Sequence, residues 1–375
     1  MLHNKTVAVV VPAYNEAGQI SIVLDTMPDF VDRIIVVNDC STDDTAEVVR
    51  SYIARSTPTD PIARRPDELE PTRFNMADRM VLEMRREERA RFPRHQAEPA
   101  TDTARIVLIN NLENAKVGGA IANGYLWALE HGIDCTAVMA GDAQMDPAEL
   151  ESICLPVIDE GIDYVKGNRL AHKAARRMVP RARHFGNSVL SALTKLASGY
   201  WNVSDTQTGY TAISLAALEQ LDLFDIYRNY GMPNDMLIKL NIAHCTLAEV
   251  PIKPVYAVGE QSKMKIRKVI PRALWLLFSG FVKRITRKYF LNDFHPISLF
   301  YLLGLVAGLG DLYFLVDIGL ALAQGGPDAV TTGTYLGFVS LLLACFMFLG
   351  FGMWLDVTDN DKLHSRRPHP TTPHG

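Results

Sequence analysis

The chain has 375 residues, of which 48% are hydrophobic and 21% charged, and its formal net charge at pH 7 is -4. Because single domains usually have about 100 to 200 residues, we expect a large globular unit with an appended part. The slightly negative charge excludes the basic footprint of a nucleic-acid-binding protein, so no nucleic-acid partner is predicted. The five cysteines show neither metal-binding nor redox spacing, which indicates reduced thiols in a body that faces the cytosol.

Apolar runs alternate with helical patterns in the first part of the chain. The runs are residues 7–11, 34–37, 106–109 and 137–139, and each is followed by polar residues. Such alternation predicts an α/β fold with a mostly parallel sheet and right-handed crossovers. Ligands of open α/β sheets bind beyond the carboxyl ends of the strands. The polar residues should therefore gather along one ligand-binding edge.

Three hard oxygen ligands follow the fourth apolar run. They are Asp142, Gln144 and Asp146, just before Pro147. Carboxylate and amide oxygens suit Mg²⁺ or Mn²⁺ on a diphosphate. The alternative is a polar turn in which Asp146 is the N-cap of a helix that begins with proline. The turn alone leaves both interpretations open.

Four motifs carry a family resemblance. They are V-V-P-A-Y-N-E at 10–16, V-N-D-C-S-T-D-D-T at 37–45, V-G-G-A at 117–120 and A-G-D-A-Q-M-D-P at 140–147. In this order they resemble the family 2 glycosyltransferases of the GT-A fold, which are Rossmann-like. The resemblance implies that a nucleotide sugar binds at Pro12, Tyr14, Glu16, Asp39 and Asp142. It also implies a divalent metal cofactor, Mg²⁺ or Mn²⁺, on Asp142 and Gln144.

Two positions depart from the family pattern. The first aspartate of the metal-binding element falls at Ala140, whose side chain cannot bind a ligand. Since the second aspartate is the one expected to touch the metal, this change weakens the site rather than abolishing it. Lys116 stands where the family commonly has glycine; it is either solvent-exposed or within reach of a phosphate.

A later stretch narrows the resemblance. Residues 199–210 read G-Y-W-N-V-S-D-T-Q-T-G-Y and resemble the polyprenyl-phosphate glycosyltransferases, a group that includes dolichyl-phosphate mannose synthase. The resemblance implies that Asp205 faces the reaction centre and that Arg169 lies near a donor or acceptor phosphate, so both are predicted to be catalytic together with Asp142. Asp235 is either a further acid in this region or part of a helix N-cap.

Cations accumulate in two places after the metal-binding turn. One group lies between residues 169 and 183, and a second lies between 263 and 268. A phosphate monoester is already largely dianionic at pH 7, so a lipid-phosphate acceptor needs cations more than a general base. We therefore predict that Arg169, Ser262 and Lys263 bind the acceptor phosphate.

The apolar C-terminal part predicts a membrane anchor. Residues 299–323 and 334–355 are each long enough to span the hydrocarbon core. The connecting residues 324–333 lack Lys and Arg, which flank the pair on both other sides. The positive-inside rule then places the catalytic domain and the C-terminus in the cytoplasm of a two-span integral membrane protein. Gly304 and Gly308 form a G-x-x-x-G pair that allows close helix packing and is compatible with a homo-oligomer.

A basic amphipathic helix should precede these spans. Residues 270–289 carry apolar side chains at helical spacing, with Arg284 and Lys288 among the cations of the later turns. This pattern is typical of a helix that lies in the membrane interface. Residues 56 to about 104, by contrast, are rich in Arg, Glu and Pro and indicate a charged surface insertion with a helix at 77–91.

The predicted parts are a GT-A domain at 1–255 with its insertion, a basic loop and interfacial helix at 256–295, two transmembrane helices at 296–357, and a disordered tail at 358–375. The leading functional hypothesis is an inverting transferase that moves a sugar from a UDP- or GDP-sugar to undecaprenyl or dolichyl phosphate for glycan assembly. One alternative is a processive polysaccharide synthase, although its Gln-x-x-Arg-Trp element is missing. The other is a non-catalytic scaffold, suggested by Ala140.

Overall fold

The computed structural model describes most of the chain. The described residues are 1–56, 59–62, 64–66, 68–91, 95–97, 104–171, 181–253, 266–326 and 330–365.

Within these residues, eight strands form one sheet in the order β3-β4-β2-β1-β5-β7-β6-β8. The strands are β1 (Val7–Ala13), β2 (Arg33–Asn38), β3 (His95–Ala97), β4 (Ile106–Asn111), β5 (Cys135–Val138), β6 (Tyr164–Asn168), β7 (Thr211–Ser214) and β8 (Leu247–Pro251). Parallel pairs join β1 to β2 and β5, β2 to β4, and β6 to β8. The predicted mostly parallel α/β sheet is confirmed, with β3 and β7 as antiparallel additions.

Helices surround the sheet and continue beyond it. They are α1 (Ile20–Asp25), α2 (Thr45–Ile53), α3 (Met76–Arg91), α4 (Lys116–Glu130), α5 (Leu150–Asp159), α6 (Arg181–Ser198), α7 (Leu215–Gln220), α8 (Met232–Ile242), α9 (Ile266–Thr286), α10 (Pro296–Gly325) and α11 (Thr332–Asp361). A π-helix, Arg287–Asn292, links α9 to α10.

The core has two halves because strand side chains alternate between the two faces of a sheet. In β1, Val7, Val9 and Val11 pack with α1, α2 and α5 on one face. Ala8 and Val10 pack with α4 and α8 on the other face. Since both faces of β1 are covered, its apolar residues run almost without interruption, as is typical of buried parallel strands.

The charged insertion forms a helix as predicted. The predicted helix at 77–91 corresponds to α3, Met76–Arg91. It is held to the main domain by polar contacts: Arg89 pairs with Glu130 of α4, and Arg85 donates to the backbone oxygen of Glu219. The short strand β3 then adds an antiparallel edge to β4.

The two C-terminal helices are long and apolar enough to cross a membrane. Both extend beyond the predicted spans, and most of their large apolar side chains are exposed in the structure. A Cβ on Gly304 would lie 2.6 Å from Leu349 Cδ2, and one on Gly308 would lie 3.4 Å from Cys345 Sγ. The predicted G-x-x-x-G pair is therefore used for packing inside this hairpin.

The segment after the hairpin differs from the predicted disordered tail. Residues 358–361 complete α11. The Leu247 N–H of β8 then donates to Leu363 O at 2.8 Å, and Ser365 N–H donates to Leu247 O at 2.9 Å. These backbone hydrogen bonds order the first residues of the tail because the open edge of β8 offers them partners.

Two cations predicted for the membrane interface are instead buried. Arg284 of α9 is 0% exposed and Lys288 is 1% exposed. They lie on the face of this segment that packs against the α/β domain, whereas Trp275 and Phe278 are exposed. The amphipathic pattern is real, but part of its basic face is used for internal packing.

Candidate active site

The loops after β1 and β2 are joined by hydrogen bonds. Ser41 Oγ accepts from Asn15 N–H at 3.0 Å, and Asn15 Oδ1 accepts from Thr42 N–H at 2.8 Å. The N–H of Glu16 donates to Thr45 Oγ1 at 2.9 Å. The two loops therefore form one wall at the carboxyl end of the sheet. This wall carries three of the predicted nucleotide-binding residues: half-buried Pro12 and Glu16, and exposed Tyr14.

Asp39 lies behind this wall and is only 4% exposed. Its Oδ1 accepts from the backbone N–H of Ala115 at 2.6 Å and from Asn111 Nδ2 at 2.9 Å. Ala115 precedes the first residue of α4, where backbone N–H groups lack intrahelical partners. Asp39 thus holds the start of α4 against β2. This structural contact was not evident from the sequence, and the nucleotide-binding role stays a prediction.

The start of α4 also explains the departure at Lys116. Lys116 has a φ of 64°, in the left-handed region that favours glycine. Its side chain is exposed. A glycine would adopt this backbone conformation without cost, which accounts for the family preference in physical terms.

The loop after β5 places the predicted metal ligands beside the first wall. Gly141 N–H donates to Pro12 O at 3.2 Å. Asp142 follows and accepts from Gln144 N–H through Oδ1 at 3.0 Å. Burial raises the pKa of the Asp142 carboxyl, and backbone hydrogen bonds counter this only in part. Asp142 forms no ion pair with any residue that the structure describes.

A pocket of about 100 Å³ opens at this loop. Its polar lining includes Asp142, Gln144 and Arg169, three of the predicted site residues. Asp146 also lines the pocket, and its side chain accepts from Ala148 N–H at 3.0 Å as the N-cap of a short 3-10 helix. The N-cap alternative is therefore correct for Asp146, although it says nothing about Asp142.

The protein offers few metal ligands in this part of the structure. Among the described residues, no three His, Cys, Asp or Glu side chains come together as a metal site. Mg²⁺ is commonly held by one or two carboxylates together with substrate phosphates. Asp142 is half-buried, pairs with no cation among the described residues and shares its pocket with the Gln144 amide, which fits such a shared site, in which a diphosphate supplies the other oxygens.

Arg169 and Asp205 form a two-pronged ion pair. Arg169 Nε donates to Asp205 Oδ2 at 2.8 Å, and its Nη2 donates to Oδ1 at 3.0 Å. Burial by itself raises the pKa of Asp205, but the hydrogen bonds and charge of Arg169 outweigh it and hold the pKa below its ordinary value. Asp205 is 4% exposed. It lies behind Arg169, so its direct effect is to orient the guanidinium group that lines the pocket.

Two further ionisable residues support this pair and were not predicted. Glu249 of β8 accepts from the backbone N–H groups of Ser204 and Asp205, each at 3.0 Å. Lys166 of β6 is fully buried and donates to Thr208 O at 2.8 Å. Burial lowers the pKa of Lys166 to about 8, against the charges of Asp205 and Glu249. A lysine inside an otherwise uncharged strand was the available sequence signal.

Asp235 is not the N-cap of a helix, and its role as a further acid stays a prediction. It lies within the first turn of α8, which begins at Met232 rather than Met236. Its Oδ2 accepts from Tyr227 N–H and forms an ion pair with Lys239. The predicted acceptor-binding residues Ser262 and Lys263, and the cations at 173, 176 and 177, lie outside the described residues.

The family assignment agrees with this geometry. Residues 8–65 match the model of the family described as Glycosyl transferase family 2. The matched stretch contains β1 except for its first residue, together with β2 and the two joined loops. This stretch of the chain thus matches the family that the motifs predicted.

Two relatives of the chain are named for sugar transfer to lipid phosphates. A UDP-N-acetylglucosamine–dolichyl-phosphate N-acetylglucosaminyltransferase of Methanococcus voltae is 26% identical over 254 residues, which are 68% of this chain and 87% of the relative. An undecaprenyl-phosphate mannosyltransferase of Micrococcus luteus is 29% identical over 149 residues, 40% of this chain and 60% of the relative. Both names describe sugar transfer to a polyprenyl phosphate, which supports a glycosyltransferase of the lipid-linked type.

Solved structures show a weaker similarity. Glucosyl-3-phosphoglycerate synthase of Mycobacterium tuberculosis in complex with uridine diphosphate aligns with a TM-score of 0.46 and 19% identity, over 74% of this chain and 81% of that one. A similarity at this level does not extend to ligands.

Proposed function

We propose that the protein is a membrane-anchored inverting glycosyltransferase. It moves a sugar from a UDP- or GDP-sugar onto a polyprenyl phosphate and releases a lipid-linked monosaccharide for glycan assembly. The observation that carries this proposal is a single pocket lined by Asp142, Gln144 and Arg169, in a domain that ends in an apolar hairpin. The pocket combines groups suited to a diphosphate with a cation suited to a second phosphate.

The donor nucleotide would lie along the joined loops after β1 and β2. Tyr14 offers an exposed ring for the base, Pro12 and Glu16 are half-buried in the same wall, and Asp39 lies behind it. Gly141 brings the loop of Asp142 next to Pro12. A nucleotide held on this wall would therefore place its diphosphate at Asp142 and Gln144.

The residues present suit a divalent metal on that diphosphate. Asp142 and Gln144 would hold Mg²⁺ or Mn²⁺, which when bound neutralises the departing nucleoside diphosphate as a Lewis acid. The raised pKa of Asp142 follows from burial, and a cation at this position would favour its ionised form.

The acceptor chemistry needs charge rather than a base. Two acids near the proposed metal site are already engaged by other groups of the protein. Asp205 is held by Arg169, and Glu149, which also lines the pocket, accepts hydrogen bonds from the Lys253 backbone. A phosphate acceptor is already ionised, so direct displacement at the anomeric carbon with inversion requires only that cations orient it. Arg169 is the described candidate for this task, with Ser262 and Lys263 as further candidates outside the described residues.

The hairpin would anchor the enzyme on the cytoplasmic side. Its first helix begins just after the π-helix at Arg287–Asn292, and the residues that follow its second helix pair with β8, so both ends lie at the catalytic domain. With Lys and Arg concentrated at these ends, the positive-inside rule favours a cytoplasmic catalytic domain and C-terminus.

The test is sugar transfer by the full-length protein in detergent. A panel of radiolabelled UDP- and GDP-sugars is supplied with undecaprenyl or dolichyl phosphate, in Mn²⁺ or in EDTA. We expect a lipid-linked monosaccharide that depends on the metal and is formed about 100-fold more slowly by Asp142→Ala. Glu151→Ala, an exposed acid on the following helix, is the matched control and should retain wild-type activity.

The outcomes separate the alternative functions. Repeated addition of sugars to one acceptor would identify a processive synthase. Folded protein with neither transfer nor metal-dependent nucleotide binding would identify a scaffold and overturn the proposal.

A further inference from the structure

A buried ion pair joins the membrane hairpin to the catalytic domain. Arg284 of α9 donates to Asp356 of α11 through Nη1 at 2.7 Å and through Nη2 at 2.9 Å. Both side chains are 0% exposed. Loss of one partner would leave an uncompensated buried charge, so the contact specifies how α11 sits on the domain.

The same guanidinium holds the end of α6. Arg284 Nε donates to Ala197 O at 2.9 Å, and its Nη2 donates to Leu196 O at 3.1 Å. Carbonyls in the last turn of a helix lack intrahelical partners, and a cation is favourable there. Gly199 follows with a φ of 78°, and a Cβ at this position would lie 2.7 Å from Arg284 Nη1. The close approach therefore requires glycine.

Further hydrogen bonds join the last turns of α11 to the rest of the protein on either side of the Arg284–Asp356 pair. Lys288 Nζ donates to Asn241 Oδ1 of α8 at 3.0 Å and to Asn360 Oδ1 of α11 at 2.7 Å. Asn202 Nδ2 donates to Asp361 Oδ1 at 3.0 Å. The final turns of α11 thus touch both α8 and the segment that leads from α6 to Asp205.

We infer that Arg284 and Asp356 are positioning residues that couple the membrane hairpin to residues 199–205. Arg284 holds the end of α6, and Asp205 orients Arg169. The segment that connects these two points is short, since it comprises only residues 199–205. Fixing the hairpin against this segment sets the pocket at one height and tilt relative to the bilayer. The pair consequently favours acceptors whose phosphate is presented at a membrane surface, an inference that rests on the proposed function.

The test compares Asp356→Asn and Arg284→Lys in the full-length protein. Backbone hydrogen exchange of Leu247 and Ser365 in nanodiscs reports whether the hairpin stays docked, independently of any activity. Transfer is measured with a long-chain polyprenyl phosphate in vesicles and with a short-chain, water-soluble isoprenyl phosphate. We expect Asp356→Asn to speed exchange and to raise KM for the vesicle acceptor, each by about tenfold or more. Transfer to the soluble acceptor should stay at the wild-type rate. Arg284→Lys keeps the positive charge and should therefore change exchange and KM in the same direction as Asp356→Asn, but by less.

Two variants complete the design. Lys283→Gln removes an adjacent exposed ion pair with Asp225 and should change neither measurement. Asn202→Ala removes the contact to Asp361 without stranding a buried charge; it should shift both measurements in the same direction by less, and it replaces Asp356→Asn if that variant does not fold. Unchanged exchange, or equal loss with both acceptors, overturns the inference. If wild type transfers no sugar while exchange still responds, the proposed function fails and the docking role of the pair stands.

Discussion

Lys166 shows how one buried residue sets the charge of the candidate site. It lies within a strand and faces Asp205 and Glu249, with Arg169 as the second cation. With all four groups ionised the cluster is neutral. Burial lowers the pKa of Lys166 to about 8, so the lysine loses its proton as the pH rises through this value. The cluster then carries a net negative charge beside a pocket proposed to bind phosphates.

The expected result is a nucleotide affinity that falls at alkaline pH. Between pH 6.5 and 9.0, the Kd for UDP in the presence of Mg²⁺ should rise roughly tenfold in the wild type, because an uncompensated negative charge repels the diphosphate. Isothermal titration calorimetry measures this change. Lys166→Met, which cannot titrate, should bind more weakly at pH 6.5 and show no further loss. An identical pH dependence in both proteins would contradict the assigned role.

At the scale of elements, the start of α4 depends on a glycine that permits close packing. Gly118 N–H donates to Arg228 O at 2.8 Å. A Cβ on Gly118 would lie 2.1 Å from Tyr227 O, a backbone atom that cannot turn away. The family motif at 117–120 therefore has a packing reason, in addition to its place near the proposed nucleotide site.

Gly118→Ala should lower the free energy of unfolding by about 2 kcal/mol, because the added methyl forces α4 away from the 227–228 backbone. The measurement is urea unfolding in detergent, followed by tryptophan fluorescence. Gly18→Ala is the control, since a Cβ there meets nothing within 4 Å, and it should stay within about 0.5 kcal/mol of wild type. Equal effects of the two substitutions would argue against the close approach.

At the scale of the whole molecule, the hairpin determines the membrane topology, because both of its ends lie at the catalytic domain. If α10 and α11 cross the membrane, the connecting turn lies on the opposite side from the domain and from residue 362. Single cysteines at Gln324, Lys362 and Asp222, all exposed positions, test this arrangement in a Cys40→Ser background. A membrane-impermeant maleimide should label Lys362→Cys and Asp222→Cys from one side of sealed vesicles and Gln324→Cys from the other. Labelling of all three from the same side would show that the hairpin does not span.

Four strands of the sheet, their mostly parallel arrangement and much of the candidate site could be predicted from local patterns. Apolar runs followed by polar residues identified β1, β2, β4 and β5. These strands are apolar almost throughout because their side chains alternate between two faces of the sheet that are both covered. The motifs selected Asp142, Gln144 and Arg169, which the structure brings into one pocket. Each belongs to the end of a strand or the turn after it, so its position follows from the strand that carries it.

Only the tertiary structure decided which charges face one another. Lys166, Asp205 and Glu249 come from separate parts of the chain, and Arg284 meets Asp356 across 72 residues. The sequence marked Arg284 as part of a basic interfacial helix and residues 358–365 as disordered tail, because its local pattern contains no information about distant partners. By itself the sequence indicated an α/β domain with the motifs of family 2 glycosyltransferases, a charged insertion and an apolar C-terminal part. How the hairpin is fastened to the domain depends on buried pairs that form only in the folded chain, where loss of one member leaves an uncompensated buried charge.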